Sequence, residues 1–166
     1  MLRLRAPGRG LLARLPAGGT LPEEVWRRRH RGILLLLWLH VPAVAVFALT
    51  RGQPLVHSLA EASAVAAFAL AAEYFRSHRT ATMVLTAMGL LTASAVLVHL
   101  SNGVIEMHFH YFVMVGVITL YQDWKPFLVA IGYVVVQHGV TGAFWPASVY
   151  IHPAAVANPW KWAGIH

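Results

Sequence analysis

The sequence predicts an all-α fold, a polytopic transmembrane helical bundle with five complete spans plus the start of a sixth. Three observations carry that expectation. Hydrophobic residues make up 58% of the chain, charged residues only 11%, and the mean hydropathy is +0.60, whereas a soluble domain carries about a quarter charged residues. The apolar residues fall in blocks of roughly twenty, the length at which a helix crosses about 30 Å of hydrocarbon. Short clusters of Gly, Pro, Asn, Asp and charged residues separate the blocks.

Residues 1–29 are expected to form a disordered basic cytoplasmic tail, because Pro7, Gly8, Gly10, Pro16, Gly18, Gly19 and Pro22 are scattered among arginines. Arg14 and Pro16 interrupt its one short apolar run, which argues against a cleaved signal peptide. Pro22-Glu23-Glu24 suits the opening of a short amphipathic helix leading into the membrane region, residues 30–166. Span one covers about Gly32 to Thr50, and Arg51-Gly52-Gln53-Pro54 turns the chain. Span two covers about Leu55 to Tyr74 and ends in Phe75-Arg76-Ser77-His78-Arg79. Span three covers about Thr80 to Leu100 and stops at Ser101-Asn102-Gly103. Span four covers about Val104 to Tyr121, followed by Gln122-Asp123-Trp124-Lys125-Pro126. In that turn Asp123 suits a helix cap and Pro126 suits a first helical turn. Span five covers about Phe127 to Trp145, where Gly132, Gly139 and Gly142 suit close helix packing. After a proline-rich loop, Trp160-Lys161-Trp162 looks like the interfacial start of a sixth span, cut off before it closes.

Charge sets the expected orientation. With the N-terminus in the cytoplasm, eight arginines before span one plus Arg76, Arg79 and Lys125 lie inside, against Arg51 and Lys161 outside. Eleven against two is a strong positive-inside bias. The net charge of +7 therefore belongs to a juxtamembrane flank facing anionic lipid, and no folded basic domain supports nucleic-acid binding. The absence of cysteine excludes disulfides, thiolate metal sites and covalent haem attachment. No phosphate loop and no nucleophile elbow supports a soluble enzyme.

The ten histidines are the informative residues. In this topology His57 and Glu61 lie at the outer end of span two, one turn apart on one face, and His99 closes span three on the same side. Glu106, His108 and His110 open span four there, His138 lies in the outer half of span five, and His152 and His166 follow outside. His40 falls near the middle of span one, while His30 and His78 are on the cytoplasmic side. Ionisable groups within spans mark sites by default. Their convergence at one depth points to a composite outer site of His57, Glu61, His99, Glu106, His108, His110 and His138, with His40, His152 and His166 as further candidates. At about 100° per residue Glu106 and His110 share a face, and His108 points away toward another neighbour, such as a second subunit. Imidazole with carboxylate suits Cu, Zn or Fe, and two facing imidazoles suit a b-type haem. The competing readings are interfacial polar residues, interhelical hydrogen bonds and proton sensing.

The stretch Leu100 to Met114 (LSNGVIEMHFHYFVM), then Leu120 to Pro126 (LYQDWKP) and Val136-Gln137-His138, resembles the multi-pass N-terminal sensory region of bacterial signalling proteins. Leu39-His40-Val41-Pro42 and Tyr150-Ile151-His152-Pro153 fit the same group, whose members often carry His-His where this chain has Gln137-His138. In that group the region precedes methyl-accepting chemotaxis, histidine-kinase or diguanylate-cyclase modules. The resemblance implies a transmembrane sensory domain over 30–166 in the bacterial inner membrane. It further implies a homodimer and a downstream cytoplasmic signalling module that this chain does not include. The alternative from the same histidines is a b-type cytochrome-like or metal-dependent membrane oxidoreductase.

Overall fold

The computed structural model describes residues 17–150 and 153–165. Five long helices follow one another in alternating direction: α1 Glu23–Thr50, α2 Leu55–Tyr74, α3 Arg79–Leu100, α4 Ile105–Thr119 and α5 Trp124–Phe144. A short 3₁₀ turn at Pro146–Ser148 and two small helices, α6 Pro153–Ala157 and α7 Pro159–Ile165, complete the described residues. α1 opens at Glu23 behind Pro22, so residues 23–29 are helical and not part of a disordered tail. Two acidic residues in its first turn, Glu23 and Glu24, complement the positive end of the helix dipole. Residues 1–16 of the expected tail lie outside the described residues.

Among the described residues, four helices are long and apolar enough to cross a membrane: α1, α2, α3 and α5. The expected fourth span is not confirmed as a complete crossing: α4 has 15 residues, although it connects the distal turn to the basic end. At 1.5 Å per residue it reaches about 22 Å, short of the roughly 30 Å hydrocarbon core. Its ends explain the shortfall. Asn102 and Gly103 hold positive φ (58° and 75°), Val104 is extended, and Gln122 turns back at φ 51°. The expected start of a sixth span is the seven-residue α7, laid against α5.

α3 is the central helix. Of its most apolar 18 residues 61% are buried, against 28% in the matching stretches of α1, α2 and α5. Small residues make this possible: Thr82, Thr86, Ala87, Gly89, Ala93 and Ser94 are all buried on α3, letting neighbouring backbones approach as membrane helices do. The outward faces are apolar instead, with Leu35, Leu59, Phe112 and Leu128 each more than half exposed. A bundle apolar on its outside is matched to lipid. The chain is thus a multi-pass α-helical membrane protein.

The two ends of the bundle differ in chemistry. At the basic end, Arg29 donates to the Leu120 carbonyl (2.7 Å), Arg79 to the Leu21 carbonyl (3.2 Å), and the Gly19 N–H to the Gln122 carbonyl (2.8 Å). These bonds gather the start of α1 and the α2–α3 and α4–α5 turns. Asp123 caps α5 by accepting from the Lys125 N–H at 2.9 Å, with Pro126 in the first turn, as the sequence led one to expect. At the opposite, distal end lie the α1–α2 and α3–α4 turns and the segment after α5. Gly139 sits directly beneath the Trp160 ring and Gly142 beneath Tyr150, so both serve close packing, while Gly132 faces open space.

Candidate functional site

Among the described residues, the distal histidines make three sets of contacts, each joining two or three helices. The first follows from i,i+4 spacing on α2 and the antiparallel return of α3. His57 Nε2 lies 3.5 Å and His99 Nε2 3.8 Å from the same Glu61 Oε1 atom. The three ligand atoms lie within 4.8 Å of one another. The side chains are partly accessible, 39% for His57, 20% for Glu61 and 50% for His99, so the cluster opens at the distal end.

The second group joins α1, α3 and α4. His40 and His110 face each other Nε2 to Nε2 at 3.1 Å. His40 Nδ1–H donates to the Leu36 carbonyl at 2.7 Å, and His110 Nδ1 lies 2.8 Å from Ser94 Oγ. A carbonyl only accepts, so neutral His40 presents a lone pair at Nε2. The proton between the two rings then has two sources. Ser94 donates to His110 Nδ1, so that His110 Nε2–H donates to His40; or Ser94 donates to the Leu90 carbonyl (3.1 Å) and the pair holds one extra proton. The serine hydroxyl and the charge of the pair are therefore coupled.

The third group joins α4 and α5. His108 and His138 are buried with ring centroids 5.4 Å apart. Each Nδ1–H donates to the carbonyl one turn earlier, Val104 at 3.2 Å and Val134 at 3.0 Å, which fixes the tautomer and makes Nε2 the atom with a lone pair. Tyr111 packs 5.0 Å from His138 and donates to Gln137 Oε1 at 3.0 Å. The cavity beside them is about 110 Å³, lined by His108, Tyr111, Phe112, Val134 and His138 among others. Organic ligand sites start at roughly 300 Å³, so this space suits a few atoms and not a porphyrin. Tyr150 closes the group from the loop after α5, its hydroxyl donating to the Pro159 carbonyl at 3.3 Å. Burial pushes its phenol up to about 12, which keeps it a neutral donor at physiological pH.

Several expected relations are revised by this geometry. His108 finds its neighbour, His138, on α5 of the same chain, with no second subunit required. His110 turns to α1 and α3, while Glu106 is exposed in the first turn of α4, where a carboxylate favours the helix N-terminus. His152 and His166 lie outside the described residues. Ser94 and Tyr111 were not singled out from sequence. Tyr111 sits three residues after His108, a spacing that places it on the same face, and that signal was available.

A fourth histidine network lies at the basic end. Thr82 donates to the Ala72 carbonyl at 2.8 Å, so it accepts from His30 Nε2–H at 3.1 Å, and His30 Nδ1 accepts from the Tyr121 hydroxyl at 2.8 Å. Burial raises the Tyr121 phenol, which holds it as the donor. Trp26 stacks on His30 at 5.1 Å and carries the Arg79 guanidinium 4.9 Å above its ring. Both ring nitrogens of His30 are paired, which suits a structural clasp of α1 on α3.

With the membrane bundle and its histidine groups defined, the chain can be set beside known proteins. No protein-family model matches it, and no solved structure matches it. It is similar to Transducer protein Htr8 of Halobacterium salinarum, 37% identical over 163 residues, which is 91% of this chain and 25% of the transducer. The chain spans about a quarter of the length of the curated relative it matches.

Proposed function

We propose that this chain is the membrane-embedded sensory input region of a signal-transduction protein. The observation that supports it most is the extent of the match to the transducer: it takes in 91% of this chain, hence the greater part of the helical bundle, and only a quarter of the relative. In this reading the N-terminus is cytoplasmic and the distal end of the bundle faces outward. The distal histidine groups take the stimulus as a metal ion, a small ligand or a proton. Binding shifts the packing of α4 and α5 against α1 and α3, and a cytoplasmic module reads that shift.

The test uses the chain joined to its output module. His110→Ala removes the hydrogen bonds from α4 to His40 on α1 and Ser94 on α3, and His138→Ala removes the α5 side of the buried pair. Each is expected to reduce the stimulus-evoked output at least tenfold while the protein remains folded and in the membrane. Wild-type output from both variants would rule the His40–His110 and His108–His138 groups out as the input.

A further inference from the structure

We infer that His57, Glu61 and His99 form a binding site for a divalent first-row transition ion such as Zn²⁺, clamping α2 to α3 at the distal end. The inference deepens the sensory reading by naming the ligand class and separating these three residues from the other histidines. It rests on that reading only for its consequence in signalling.

Spacing carries the argument. The two imidazole nitrogens lie 3.5 and 3.8 Å from one carboxylate oxygen. Those distances exceed the roughly 2.7–3.2 Å of an N–H···O hydrogen bond. They approach the separation of two donors on one tetrahedral ion, about 3.3 Å for bonds near 2.0 Å. All three donor atoms fall within 4.8 Å of one another, close enough for small rotamer adjustments to seat an ion.

Scaffold and chemistry agree with this. His57 and Glu61 are fixed one turn apart on α2, and His99 comes from the last turn of α3, next to the Schellman turn that ends the helix. Two nitrogen donors and one oxygen donor suit Zn, Cu or Ni, whereas Mg²⁺ and Ca²⁺ require oxygen ligands. The partial exposure of all three side chains leaves a fourth position for water or a ligand, the pattern of open sites. The other histidine groups are poorer sites for an ion. Among the described residues only His57, Glu61 and His99 bring three such ligand atoms within reach of one ion, whereas His40–His110 and His108–His138 offer two imidazoles each.

The experiment is equilibrium binding of Zn²⁺ to the detergent-purified chain, with Mg²⁺ as the contrasting ion. Zn²⁺ is expected to bind with one high-affinity ion per chain and Mg²⁺ not to compete. His57→Ala, Glu61→Gln and His99→Ala are each expected to weaken that affinity by more than the 10–100-fold typical of outer-shell partners. His78→Ala, exposed at the opposite end of the bundle, is expected to leave it unchanged. Helical content and elution volume of each variant identify any that fails to fold, and Glu61→Gln keeps shape and size in place. Zn²⁺ affinity that survives all three substitutions, or falls equally with His78→Ala, overturns the site. Because binding is read without any output module, Zn²⁺ that binds but leaves the output of the wild-type chain joined to its module unchanged counts against Zn²⁺ as the stimulus and leaves the site standing.

Discussion

Gly89→Leu is expected to prevent assembly of the bundle. Gly89 lies where α1, α2 and α3 meet, and a Cβ there falls 2.8 Å from Phe68 Cβ and 2.8 Å from Leu37 Cδ2. The leucine tip can rotate aside. Phe68 Cβ is fixed to the α2 backbone, so α2 itself must move. Ala in place of Gly gains roughly 1 kcal/mol of helix propensity, but overpacking a fitted interface costs about 1–3 kcal/mol. The clash wins for Ala by a small margin and for Leu decisively. Thermal unfolding in detergent measures both. Gly116→Ala on α4 is the control: nothing lies within 4 Å of that Cβ, so its midpoint should hold or rise slightly. A Gly89→Leu protein as stable as wild type would mean that the three helices do not meet there.

Gly103→Val is expected to be the second most damaging change, and it reaches the candidate site. The α3 helix ends in a Schellman turn: the Gly103 N–H bonds the Val98 carbonyl (2.9 Å) and the Asn102 N–H bonds the His99 carbonyl (3.0 Å). Gly103 has φ 75°, which a β-branched residue adopts only as an outlier. Its Cβ would also lie 2.8 Å from the Val149 carbonyl carbon and 2.9 Å from the Tyr150 nitrogen, both backbone atoms that cannot swing away. Left-handed strain of roughly 1–2 kcal/mol adds to the overpacking cost. The turn anchors His99 on one side and leads into α4 on the other. The variant should therefore lose both unfolding midpoint and Zn²⁺ affinity, whereas Gly52→Ala, in open space, should lose far less than Gly103→Val.

Helix positions along the chain were legible because the determinants are local. α2 runs from Leu55 to Tyr74 and α3 ends at Leu100, as block length and the Ser101-Asn102-Gly103 stop led one to expect. The Asp123 cap and the packing roles of Gly139 and Gly142 were legible for the same reason. α4 is shorter than the apolar run, because Val104 is extended before it and Leu120–Tyr121 continue only as a tighter turn with i→i−3 bonds.

Partnerships across helices were harder to read. The i,i+4 pair His57–Glu61 and its closeness to His99 follow from spacing and antiparallel return, and both were legible. His40 opposite His110 was not. His40 was placed only near the middle of span one; the extended residue before α4 delays the start of that helix, and the small face of α3 at Ala93 and Ser94 draws α1 and α4 together. Equal depth does not by itself say which histidines touch. Depth comes from counting residues, whereas azimuth depends on which side chains let two backbones approach.

The decisive measurement is a domain exchange, in which this chain replaces the aligned quarter of the halobacterial transducer and signalling output is followed in cells through Zn²⁺, small-ligand and pH steps. A sensory input region predicts that output changes with at least one of these stimuli and that His110→Ala or His138→Ala flattens the change. Output identical under every condition, from a chimera shown to be folded and in the membrane, would contradict it.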